Sequence, residues 1–255
     1  MSIDTPRPAL EKSMISEKIS QYWRVSVVEV TGSTQDDLAA RVSRNEVQSG
    51  EVLVTDFQSA GKGRLDRNFE APKSSALLFS IYIEPRREKS EWSFLPILAG
   101  IVTTLALSEL DPNFSSHLKW PNDILIADKK VGGIIAQLTS DGVILGIGIN
   151  VGMKIDELPV EHATSLGIEG FGTLDRNLVL ASILNTCEEL LLRWEDGEDL
   201  RHLYRERSAT LGRKIQVVLP GGDSRTGLAN DISVTGELIL DDGQRITVGD
   251  IVHLR

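Results

Sequence analysis

Short apolar runs, alternating or unbroken and separated by polar turns, dominate the first 150 positions of the chain, and that period of two predicts strands. Residues 24–30 (RVSVVEV) alternate and are β-branched; residues 51–57 (EVLVTDF) give a second strand and residues 76–83 (ALLFSIYI) an apolar, buried third. Between the first two, TGSTQDDLAARV reads as a turn into a helix, with Ser33 and Asp36 spaced as a capping box. Leu98, Ile101, Val102 and Leu105 recur at helical spacing and predict a core helix over residues 94–110. Residues 117–126 (HLKWPNDILI) read as a strand interrupted at Pro121, because proline cannot donate to a ladder. Asp128, Lys129 and Lys130 form a polar turn into Val131, Gly132, Gly133 and a strand over residues 134–138. Residues 143–151 (VILGIGINV) form another strand, on which Gly146 and Gly148 leave one face bare for a flat group or for close packing.

The pattern then changes twice. After Asp175, Leu180, Ile183, Leu184, Cys187, Leu190, Leu191 and Trp194 share one helical face, predicting a packing helix, and a second helix is expected over about residues 200–209. From residue 211 short β runs (KIQVVL, SRTGLAND, GELIL, QRITV, DIVHL) alternate with Pro-Gly-Gly, Thr-Gly and Asp-Asp-Gly turns, as in a small barrel whose expected role is stability or docking. Residues 1–21 are polar with two early prolines and read as a tail followed by a short helix. The expected division is thus a tail and helix over 1–21, a large α+β domain over 22–210 and a small β domain over 211–255.

A chain of 255 residues with 41% hydrophobic positions can bury a large core. Its 27 basic and 37 acidic residues give a net charge of −10, which argues against nonspecific nucleic-acid binding. One cysteine, Cys187, allows neither an internal disulfide nor a cysteine-based zinc site and fits a reducing compartment. The four histidines show no metal-ligand spacing, so no protein-held metal is expected. No signal core and no stretch long and apolar enough to span a bilayer are read, and the expected location is the cytoplasm.

Against this acidic background the loop SAGKGRLDRNFEAP from Ser59 is basic: between Ala60 and Lys73, Lys62, Arg64, Arg67 and Lys73 outnumber Asp66 and Glu70. Glycines at 61 and 63 beside those cations suit an anionic ligand, although a solvated turn is the blander reading. The loop lacks the spacing of a P-loop, and Asp66 stands where a dinucleotide fingerprint needs its third glycine. Downstream follow KWPNDIL from Lys119, KKVGGI from Lys129 and GIGINV from Gly146. Alone, Pro-Asn-Asp is a good β-turn and a lysine beside a turn is commonplace.

Together, and in this order, the four motifs resemble those of the biotin protein ligases, over roughly residue 31 to the C-terminus. The resemblance implies an α+β fold: a mixed sheet flanked by helices, of the class II synthetase-like biotin/lipoate ligase type, with an SH3-like C-terminal domain. It implies biotin contacts from Ser33, Thr34, Gln35, Gln58, Lys62, Gly63, Arg64, Lys130 and Gly133. ATP or AMP contacts are implied for Lys62, Arg64, Arg67, Trp120, Asn122, Lys130 and Asn150, and catalytic roles for Lys130, Arg64 and Asp123. Lys130, not Lys129, matches the family's lysine between carboxylate and α-phosphate. ATP and biotin are the implied substrates, Mg²⁺ would arrive with ATP, and the acceptor would be the biotin carboxyl carrier domain of an acyl-CoA carboxylase. No DNA-binding module is expected ahead of Trp23, and no membrane partner. The sequence departs from the family pattern at Gln35 (usually Asn), Asp66 (usually Gly) and Phe69 (usually Trp). A lipoate or octanoate ligase or transferase of the same fold is the nearest rival. Ser33, Gln58 and the GKGR loop favour a ureido ring over an aliphatic tail. A non-catalytic biotin sensor is the other, against which Lys130, Arg64 and KWPND weigh.

Overall fold

The computed structural model describes residues 7–64 and 67–254. Seven strands form one mixed sheet in the order β1-β2-β3-β7-β6-β5-β4. They are β1 (Arg24–Thr31), β2 (Glu51–Gln58), β3 (Ala76–Ile83), β4 (His117–Lys119), β5 (Asp123–Ile126), β6 (Lys129–Leu138) and β7 (Val143–Asn150). Only β1 and β2 are parallel, and the helix α2 (Thr34–Ser43) supplies the crossover that a parallel pair requires. The segment around Pro121 is not one interrupted strand: β4 and β5 fold back as an antiparallel pair, so Pro121 and Asn122 sit in the turn.

Alternation along β3 and β7 separates the two faces of the sheet. Leu77, Phe79, Ile81 and Ile83, with Val143, Leu145, Ile147 and Ile149, enter the main core beneath α3 (Leu95–Leu110) and α4 (Arg176–Glu195). On the opposite face Tyr82 and Ile144 pack on Leu38 of α2 in a second, smaller cluster. Beside that cluster the same face carries Ser80, Gly146 and Gly148, too small to fill the space above them. That shortfall creates the cavity described below.

The 3-10 turn and α3 together form a helix, Lys89–Leu110, of 22 residues whose most apolar stretch of 18 has mean hydropathy 1.7, long and apolar enough to cross a membrane, contrary to the sequence expectation. In the fold 67% of its most apolar stretch is buried, and it is the central core helix between α4 and the sheet. Cys187, also in this core, has its thiol pushed up to about 12 by burial.

The N-terminal segment is docked from Arg7 onward; residues 1–6 of the expected tail lie outside the described residues. A helix α1 (Lys12–Ser16) follows, Ile15 is fully buried, and Glu11 donates its N–H to Asn177 Oδ1 at 2.8 Å. Arg176, the first residue of α4, fastens this arrangement. Its guanidinium pairs with the Asp56 carboxylate on β2 and donates to Pro8 O at 2.7 Å and Ala76 O at 3.3 Å. The two side chains are 1% and 8% exposed, so removing one leaves a buried charge without its partner. Arg176→Ala should lower unfolding free energy by about 3–5 kcal/mol, measurable as a shift in urea midpoint at constant m-value.

A short helix α5 (Arg201–Arg207) leads to five further strands, β8 (Lys214–Val218), β9 (Ser224–Ile232), β10 (Leu238–Leu240), β11 (Arg245–Ile246) and β12 (Asp250–His253). They form an antiparallel sheet in the order β11-β10-β9-β8-β12, consistent with the small SH3-like domain expected. Its apolar residues, Ile215, Val217, Ile232 and Leu238 among them, join the main core. The Trp120 indole N–H donates to Gly236 O at 2.9 Å, pinning the β4–β5 turn to this domain, and its backbone N–H donates to Thr210 Oγ1 at 3.0 Å in the segment that leads into it.

Candidate active site

A cavity of about 300 Å³ lies on the α2 side of the large sheet. Its floor follows from register: Ser80 pairs with Gly146, Leu78 with Gly148, and Gly133 also with Gly148. The bare face expected of β7 is real, but two side chains already rest on it. A Cβ on Gly148 would lie 2.8 Å from the Phe69 ring, and one on Gly146 would lie 2.6 Å from Gln35 Oε1.

One end is a niche of hydroxyls and amides. Ser33 caps α2, accepting from Asp36 N at 3.4 Å. Gln58 Oε1 accepts from both the N–H and the hydroxyl of Thr34, at 2.8 and 3.0 Å, and the Thr34 hydroxyl also meets Ser80 Oγ at 2.9 Å. Gln35 is 4% exposed and committed at both ends, donating to Ile144 O at 3.1 Å and accepting from Ser80 Oγ at 3.1 Å.

The other end is cationic, and the two neighbours Asn122 and Asp123 each hold one of its charges. Asn122 is fixed to β6 by Nδ2 donating to Ile134 O at 2.8 Å, and its Oδ1 accepts from Arg64 Nη1 at 3.0 Å. Asp123 Oδ1 lies 2.5 Å from Lys130 Nζ. Lys130 faces the cavity because of a bulge: Ile124 pairs with Gly132 but Leu125 with Lys130, so Val131 is extra and turns into the core. Without that bulge strict alternation would bring Lys129 to the cavity; instead Lys129 Nζ lies 3.7 Å from Glu169. Gly133 completes the seat, since a Cβ there would sit 3.4 Å from Lys130 Nζ and 3.3 Å from its Cε. Gly133→Ala should therefore displace the Lys130 tip and slow any chemistry that depends on it by about tenfold, with the melting temperature nearly unchanged; pre-steady-state rates beside a thermal melt would check this.

The loop after β2 closes on itself more than its glycines suggested. Gly63 N–H donates to Arg67 O at 2.7 Å and Phe69 N–H to Gly61 O at 2.9 Å. The Lys62 ammonium, half exposed, is 2.6 Å from Asp36 Oδ1. Burial depresses the Arg64 pKa, opposed by the nearby carboxylates of Asp250 and Asp123. Asp66, expected to oppose phosphate, lies outside the described residues.

The structure thus brings Ser33, Thr34, Gln35, Gln58, Lys62, Gly63, Arg64, Arg67, Trp120, Asn122, Asp123, Lys130 and Gly133 to the lining of one cavity. Asn150 is not among the lining residues. It is 5% exposed and donates its amide to Thr164 O at 2.9 Å, bracing the segment that carries His162 and Thr164 alongside Lys130. Trp120 is 2% exposed with its indole N–H committed to Gly236, which makes it a wall. Sequence reasoning missed Asp250 and Ile251, which the C-terminal sheet contributes to the lining. It also missed an adjoining chamber of about 360 Å³ between the domains, where Lys119 and Lys130 face Arg213 and His253. Burial, then Lys119 and Arg213, depress the His253 pKa. No local signal marks these residues, since they meet the site only through the packing of the two domains.

A sheet face floored with glycine, with a hydrogen-bonding niche at one end and converging cations at the other, has the form of a binding site for an elongated ligand with one polar and one anionic end. The model of the Biotin/lipoate A/B protein ligase family matches residues 27–154, and the chain belongs to that family. It is 34% identical to the biotin–[acetyl-CoA-carboxylase] ligase of Mycobacterium tuberculosis, across 99% of this chain and 98% of that protein. It is 27% identical to the bifunctional ligase/repressor BirA of Salmonella typhimurium, across 94% of this chain and 76% of that one. Among solved structures, the biotin protein ligase from Aquifex aeolicus in complex with biotin and ATP superposes with a TM-score of 0.77 at 29% identity, covering 91% of this chain and 99% of that chain.

Proposed function

We propose that the protein is an ATP-dependent biotin protein ligase that makes biotinyl-5′-AMP and passes the biotinyl group to a lysine of a biotin carboxyl carrier domain of an acyl-CoA carboxylase. One observation carries the reading: Arg64 and Lys130, from separate strands and loops, line the same cavity, where two anionic reactants have to meet. The M. tuberculosis relative, similar over nearly its full length, supports the choice of substrate and acceptor.

A carboxylate does not acylate an amine unaided, because its oxygen is a poor leaving group. In the first half-reaction a carboxylate oxygen of biotin bonds to the α-phosphorus of ATP while the bond to the bridging oxygen breaks, and diphosphate departs with the electron pair. Arg64 and Lys130 offset the repulsion between carboxylate and phosphate and the charge that builds between them. Lys62 and Arg67, both more than half exposed, would meet the outer phosphates. Among the described residues no group of three or more His, Cys, Asp or Glu could hold a metal, so Mg²⁺ would enter on the nucleotide and neutralise the leaving diphosphate.

Gln58, Ser33 and Thr34 offer both donors and acceptors to the ureido ring. In the second half-reaction a neutral lysine amine attacks the acyl carbon, the bond to the phosphate oxygen breaks, and AMP leaves. Asp123, already bonded to Lys130, orients the incoming amine and accepts its proton. Phe69, resting over Gly148, keeps water from the mixed anhydride. A cytoplasmic setting fits the single buried thiol.

The test is direct. Purified protein with α-labelled ATP and biotin should yield labelled biotinyl-adenylate, and lipoate or octanoate should yield far less. Equal or greater product from lipoate would move the assignment to the other branch of the family, and binding of biotin without any adenylate would mark a sensor.

A further inference from the structure

We propose that Asp250, carried by the C-terminal domain, is a positioning residue that competes with the nucleotide's phosphate for Arg64 and Arg67 and thereby sets the affinity of the site for ATP. This rests on the adenylate-forming reading above.

The cations assigned to the reaction already have carboxylate partners within the chain. Lys130 has Asp123 and Lys62 has Asp36. Arg67 pairs with Asp250 Oδ2, and Arg64 Nη1 lies 3.6 Å from Asp250 Oδ1 while its Nη2 donates to Gly249 O at 3.3 Å. Among the described residues, Asp250 is the one such partner that comes from the other domain. It also has the firmer footing. Backbone pairing with Val218 holds it on β12, and a Cβ at Gly249 would lie 2.6 Å from Val217 Cγ1 and 2.9 Å from Val218 O, so this stretch is seated hard against β8. The two arginines ride on the loop that follows β2.

A phosphate oxygen that takes Arg64 must displace this carboxylate or share the guanidinium with it. Both are anions in a partly dehydrated cavity, so sharing is repulsive and each phosphate contact is gained as a carboxylate contact is lost. Net affinity is then the difference between the two, and deleting the carboxylate's charge should raise it. With side chains 20% and 35% exposed, the Arg64–Asp250 contact belongs among modest pairs, so the gain should be correspondingly modest.

Asp250→Asn keeps the shape and the β12 pairing. We expect its KM for ATP in biotinyl-adenylate formation to fall about threefold to fivefold, with kcat little changed, the biotin Kd unchanged, and the gain fading in high salt. Asp250→Glu, which restores the charge, should return KM to the wild-type value. A carboxylate that merely props the domain together would instead lower stability and raise KM in Asp250→Asn, and an unchanged or raised KM overturns the inference while leaving the ligase reading intact. Should Asp250→Asn fail to fold in a thermal melt, Asp250→Ser makes the same backbone pairs and carries the same expectation. Wild-type protein that forms no adenylate from biotin overturns the reading and this inference together.

Discussion

Lys130→Ala should abolish adenylate formation, by about 10²–10³-fold, while biotin still binds within about threefold of wild type. The separation of the two effects follows from the layout of the cavity. The niche of Ser33, Thr34 and Gln58 is built on α2, β2 and β3, held by its own hydrogen bonds, and none of them involves Lys130. Lys130 sits at the opposite end against Asp123, where the proposed reaction would bring carboxylate and α-phosphate together and further charge would build in the transition state. A group that acts on the transition state and touches the ground state weakly lowers kcat more than it raises Kd. Lys130→Arg should recover little, because the pocket left by Gly133 is shaped around a slim ammonium and a planar fork needs more room. Calorimetry with biotin beside release of labelled diphosphate measures both quantities. Parallel loss of binding and chemistry would mean that Lys130 organises the whole cavity.

Arg64→Gly should produce a different defect: the intermediate forms but escapes. Arg64 is the cation whose side chain bridges Asn122 on one side and the C-terminal domain on the other, so in the proposed reaction it would tie the two domains across the intermediate as well as offset its charge. Loss of a charged hydrogen bond to the anhydride phosphate should speed release of biotinyl-adenylate by about 10- to 100-fold. Released into bulk solution, the mixed anhydride would acylate accessible lysines on bystander proteins without need of a docking surface. Filter-binding decay of the labelled intermediate, and streptavidin blots of added albumin, would report the two consequences. Equal retention by Arg64→Gly and wild type would remove Arg64 from the clamp.

Much of the architecture could be read from residue order. The periods of β1, β2, β3 and β7, the capping serine of α2, the glycine pair of β7 and the turn chemistry after residue 211 each lie within a few residues of the feature they specify. The apolar helix was legible as a core helix, and its burial under α4 and the sheet agrees; what residue order did not bring out is that it also meets a membrane span's length and hydropathy.

Local pattern determined which residues alternate, which face of a strand is bare and where cations are clustered, because side-chain direction within a strand depends only on its own backbone. What it left open was decided by contacts between distant segments. A bulge opposite β5, and not the order of two lysines, turns Lys130 inward and Lys129 away. The carboxylate partner of Arg67 stands 183 positions further along the chain, and that of Arg176 120 positions back. No short-range period encodes such a separation: it is fixed when two hydrophobic faces pack, and the charges they carry are brought together as a result.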